Sequence, residues 1–83
     1  MKHYLFQDDS GFAVFEQGGK FYVRYDAGAH QVEMREDEVS EAEAHEASKG
    51  LDSANAVLFK VQNRLIESGV DPYVSNVDDA GSE

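Results

Sequence analysis

Apolar residues recur every nine positions in the first part of the chain, at Leu5, Val14, Val23 and Val32. Between them lie three turn-forming stretches: Asp8-Asp9-Ser10-Gly11, Gly18-Gly19 and Ala27-Gly28. A hairpin fixes the face of every residue in its two strands, because side chains alternate sides and a one-residue slip turns a strand over. Closing each hairpin at its turn aligns the four residues as one cross-strand row, with Phe12 beside Tyr25 and Phe21 beside Met34 on the same face. Residues 3–7, 12–17, 20–26 and 29–35 are the strands this implies, rich in aromatic and β-branched side chains. Gly18-Gly19 suits a two-residue hairpin because glycine tolerates positive φ. The expectation is a four-stranded antiparallel meander.

The opposite face of that sheet carries Tyr4, Phe6, Phe15 and Tyr22, alongside Ala13, Arg24, Gln31 and Glu33. Four aromatic side chains together are too apolar for a plainly solvated face. Either a helix, the C-terminal segment or a second copy covers them, or they form a recognition surface for another macromolecule. Aromatic sheet faces also stack RNA bases, but that chemistry needs basic surroundings. Only Lys20, Arg24 and Arg35 are near, in a chain of formal net charge −10.

Two helices are predicted beyond the meander. Ser40 and Glu43 have capping-box spacing, each side chain able to bond the other's backbone amide. Lys49 and Gly50 end this helix, over about 41–49, whose apolar contacts are only Ala42, Ala44 and Ala47. It reads as a connector that displays charge. The second, about 54–68, is capped by Asp52 or Ser53 and stopped by Gly69, with Ala54, Val57, Leu58, Val61 and Leu65 on one face. This is the lid for the Leu5–Val14–Val23–Val32 face. Phe59 and Ile66 widen its apolar arc, which suggests burial against more than the sheet alone: against the short helix or in a dimer. The fold class is therefore α+β, with residues 1–77 one domain and 78–83 an acidic tail. Residues 73–77 would add an edge strand or cover apolar surface.

Charge constrains partners. Residues 36–46 contain Glu36, Asp37, Glu38, Glu41, Glu43 and Glu46, plus His45, and no Lys or Arg. Such a field repels phosphate backbones and anionic lipid, so neither nucleic acid nor a membrane is an expected partner. A basic protein is. Leu, Ile, Val and Phe make up 19 of the 83 residues, enough for a modest core. Cysteine is absent, which removes disulfides and thiolate metal sites. The first eight residues reach acidic side chains too soon for a signal peptide or a membrane span, so a cytosolic location is expected.

Catalytic chemistry finds little footing. His45 has only Glu41 at helical spacing and no third ligand near, too few for zinc. His3 faces Glu16, and His30 faces Tyr25, as rim contacts of the sheet. Asp8-Asp9-Ser10-Gly11 lacks the alternating ligands of a calcium loop and reads as a turn. No nucleophile elbow, phosphate loop or dinucleotide fingerprint occurs. No catalytic residue, cofactor or metal is expected, and the chain is read as a non-enzymatic protein-binding module. Its anchors are the acidic set (Glu36, Asp37, Glu38, Glu41, Glu43, Glu46) or the aromatic set (Tyr4, Phe6, Phe15, Tyr22). In size and charge alone it is similar to small phage and mobile-element proteins that occupy the nucleic-acid groove of a host defence protein, which makes an inhibitor one form of this reading. The alternative is a homodimeric structural protein joined through the aromatic face.

Overall fold

The computed structural model describes residues 2–9, 11–28 and 32–76. Four strands, β1 (His3–Gln7), β2 (Ala13–Gln17), β3 (Lys20–Asp26) and β4 (Met34–Val39), form one antiparallel sheet in the order β1-β2-β3-β4. Two helices follow, α1 (Glu41–Ala47) and α2 (Leu51–Glu67), giving the expected α+β layout. The β2–β3 hairpin has the expected register, Val14 opposite Val23, turning at Gly18 and Gly19 with φ of 63° and 82°.

Two departures alter which residues share a face. In β1, Tyr4 opposes Phe15 as expected, but Phe6 opposes Val14, so a bulge at Leu5 shifts the register. Phe6 thereby leaves the aromatic face assigned to it and packs on the helix side beside Phe12, ring centroids 6.0 Å apart. The second departure is larger. Ala27-Gly28 does not close a tight hairpin; Ala27 N donates to the Glu33 carbonyl at 2.9 Å, and Asp26 Oδ1 accepts from the Gly28 and Glu33 amides. The fourth strand starts at Met34 instead of residue 29, and Val23 opposes Asp37 instead of Val32. An odd shift of five exchanges the faces. Val32 is left 70% exposed, while Arg35, Asp37 and Val39 turn inward.

The core lies between the sheet and the helices, built on Phe12, Val14, Val23, Tyr25, Val39, Ala44, Ala47, Ala54, Val57 and Val61. The short helix contributes more than a charged connector would: Ala44 and Ala47 are fully buried, and α1 packs directly on β1, β2 and β3. Alanine, having only a methyl group, lets the helix backbone approach the sheet closely. Ser40 caps α1 with the complete reciprocal box to Glu43, at 3.1 and 2.9 Å. Helix α2 begins earlier than expected, from Gly50, so Asp52 and Ser53 lie inside its first turn and no side chain caps it. Gly50 has φ 151°, a conformation reserved in practice for glycine, which allows the sharp α1–α2 junction.

After α2 the chain returns along β4 without becoming a strand. Pro72 is buried, and the Asn76 side-chain amide both accepts from Glu36 N and donates to Glu36 O, each at 2.8 Å. That amide takes the place of a neighbouring strand and blunts an open sheet edge. The acidic stretch 78–83, Val77 and the His30 contact lie outside the described residues.

Candidate functional site

The six carboxylates of the acidic block divide sharply. Asp37, 8% exposed, is held by Arg35 through Nε at 3.1 Å and Nη2 at 2.8 Å, by the Tyr25 hydroxyl at 2.8 Å, and by Asn76 Nδ2 at 3.3 Å. Arg35, 4% exposed, spends its remaining nitrogen on the Asp71 and Val74 carbonyls, at 3.3 and 2.6 Å. This network ties the chain after α2 to the sheet. Burial pushes the Tyr25 phenol far above its ordinary value, and its bond to Asp37 adds to that, so it stays a proton donor. The bond to Asp37 likewise raises Arg35, against the opposing effect of burial. Sequence pattern alone held one clue: residues two apart in a strand share a face, so Arg35 and Asp37 could pair.

Glu36 is also committed. On the open face it bridges the Arg24 guanidinium and Lys2 Nζ. Glu43 serves the cap of α1 and bonds Arg64 Nη2 at 2.8 Å. Burial raises the Glu43 carboxyl, but the Ser40 amide and Arg64 together outweigh it and hold the group below its ordinary value. Glu46 meets Lys49 at 3.0 Å on the surface, and that contact lowers it. Two carboxylates remain open to a partner. Glu41 has His45 at 3.6 Å, and Glu38 is exposed with no ion pair among the described residues. They flank the Ser40 corner where β4 becomes α1.

The open sheet face joins this corner. Tyr4 opposes Phe15, Phe15 opposes Tyr22, and Tyr22 opposes Glu38, so one continuous row crosses all four strands. Phe15 is fully buried, although it lies outside the cluster that packs on α1 and α2. Tyr4 and Tyr22 flank it with ring centroids 5.6 and 5.3 Å away, and Lys2 Nζ lies 4.8 Å above its ring. The chain thus covers its own most apolar residue there, and leaves Tyr4, 44% exposed, and the partly exposed Tyr22 at the surface.

Other exposed apolar side chains lie on α2, where Leu51, Phe59 and Ile66 are each more than half exposed. Phe59 does not reach the core, and its placement off the inner stripe was the sequence signal. His3 does oppose Glu16, and the Asp8 carboxylate accepts from Phe12 N at 3.1 Å, a turn role. Among the described residues no group of three or more His, Asp or Glu could hold a metal ion, and no helix is long and apolar enough to cross a membrane. Comparisons with protein-family models, curated proteins and solved structures give no significant match.

Proposed function

We propose that this chain is a non-enzymatic protein-binding module that engages a basic segment of a partner along the row Tyr4, Phe15, Tyr22 and Glu38 and around the corner to Glu41. The observation that carries this reading is Lys2. Its ammonium group rests over the Phe15 ring and within 3.2 Å of Glu36, so the face already satisfies one cation by ring contact and carboxylate together. A partner's Lys or Arg over Tyr22, paired with Glu38 and Glu41, repeats that chemistry on the exposed part of the row. The net charge of −10 would steer a basic partner toward it. A partner whose basic groove ordinarily holds nucleic acid is the fitting class, and occupying that groove is inhibition in the manner of phage anti-defence proteins.

Immobilised wild type and a Glu38→Gln/Glu41→Gln variant should differ in what they retain from a lysate at low salt. The expected result is salt-sensitive capture by wild type, displaced by added DNA and lost in the variant. Equal capture by both, indifferent to salt and DNA, would refute the reading.

A further inference from the structure

We propose that Lys2 is a stand-in for the partner's cation: it fills a seat over the Phe15 ring in the free protein, and an arginine of the basic partner takes its place on binding. The proposal rests on the reading of the row as a surface for a basic segment, and it names the side chain recognised and the contact that regulates access. The base of the seat is the fully buried Phe15. Tyr22 flanks it with ring centroids 5.3 Å apart, and Tyr4 flanks it from the neighbouring strand at 5.6 Å. Glu36 completes the seat. Its Oε2 accepts from Lys2 Nζ at 3.2 Å and from the Arg24 guanidinium, while the same Lys2 nitrogen stands over the Phe15 ring, 4.8 Å from its centroid.

Two cations of this chain are held in opposite ways, and Lys2 is the loose one. Arg35 is 4% exposed and spends its guanidinium on Asp37 and on the Asp71 and Val74 carbonyls. The Lys2 side chain is 32% exposed, and among the described residues one carboxylate and one ring hold it. An ammonium is strongly hydrated, and exposed ion pairs of this sort contribute little to stability. Lys2 precedes β1 and lies outside its register with β2, so its side chain can swing into water without breaking a strand pair. Arg24 stays on Glu36 when it does, so the carboxylate is not left unpaired.

Arginine suits the vacated seat better than lysine does. A guanidinium is planar and weakly hydrated, so it stacks on an aromatic face and still aims N–H groups at a carboxylate. An ammonium is a point charge that cannot stack. The chain's net charge of −10 favours the exchange, because an incoming arginine adds positive charge from outside while the displaced Lys2 keeps its own on the protein. Glu38 lies opposite Tyr22 on the adjoining strand and is exposed, placed to meet the next cation of the same segment. Lys2 thus sets the affinity of the row, since a partner must displace it before it reaches Phe15.

Acetyl-hexaarginine amide, titrated at low salt and followed by calorimetry and NMR, tests this. In free wild type the Lys2 ε-methylene protons, held over the Phe15 ring, should resonate upfield of those of the other lysines. Saturation with the peptide should return them to the ordinary position. Lys2→Met should bind the peptide about fivefold more tightly than wild type, while Lys60→Met, which removes the same charge from an exposed position on α2, should gain less than about twofold. Adding Glu36→Gln to Lys2→Met should cancel the gain. Lys2 signals that stay upfield at saturation, equal affinities in Lys2→Met and Lys60→Met, or a gain that survives Glu36→Gln would overturn the proposal and leave the basic-partner reading standing. Peptide binding by neither wild type nor Lys2→Met would overturn both.

Discussion

Glu36 and Asp37, and Glu41 and Glu46, are the same kind of side chain within eleven positions, yet the first two are tied down by cations on the sheet and the last two stand on the surface of α1. On β4, Asp37 is closed off by Arg35, Tyr25 and Asn76, and Glu36 bridges two cations. On α1, Glu41 and Glu46 are exposed, with surface contacts to His45 and Lys49. Surface pairs of that sort contribute at most about 1 kcal/mol, whereas breaking a buried, hydrogen-bonded pair leaves an uncompensated charge. A run of acidic letters is therefore not one object. Its meaning at each position depends on whether the neighbouring strands and helices bring a cation to it.

The largest test of that division is Asp37→Ala, which strands a buried guanidinium and should lower unfolding free energy by about 3–5 kcal/mol in urea titration. Replacing both partners, Arg35→Met with Asp37→Leu, should recover part of the loss, because neither charge is then left buried. If the double variant is worse than Asp37→Ala, the pair is not the unit described. Tyr25→Phe removes only the hydroxyl donated to Asp37 and should cost about 1.5–3 kcal/mol, read from the same titration. Ser40→Ala, on the boundary between the two halves, should cost about 1 kcal/mol through loss of the cap.

The smallest expected effect is in pH. Glu43 sits below its ordinary value of 4.5 when folded. A carboxyl depressed by folding stabilises the protein above that value and loses its contribution as pH falls through the folded one. Wild type should therefore lose stability relative to Glu43→Gln below about pH 5. The difference between the two denaturation curves isolates Glu43 from the relief of general repulsion that acid brings both proteins. A difference that is flat with pH would remove Glu43 from the structural group.

Much of the fold was legible because parity is a strong constraint. Gly18-Gly19 fixed one hairpin, and the alternation in residues 13–26 left a single sensible register. The fourth strand was misplaced because Ala27-Gly28 resembles a turn, while the real closure depends on the Asp26 carboxylate gathering amides on both sides of the loop. The bulge that moves Phe6 inward leaves almost no trace in local sequence. The capping box of α1 was readable from four residues, but the intimate packing of Ala44 and Ala47 was not, since alanine signals little about burial. At the candidate site, the number of carboxylates could be counted directly. Which of them are committed depends on Arg24, Tyr25, Arg64 and Asn76, brought close by the fold from 12 to 39 positions away.

Side-by-side urea denaturation of Asp37→Ala and Glu38→Gln/Glu41→Gln tests the division of the acidic block most directly. The first should fall at least about 2 kcal/mol below wild type, and the second should stay within about 0.5 kcal/mol of it. Equal losses in the two variants, or a larger loss in the surface pair, would contradict it.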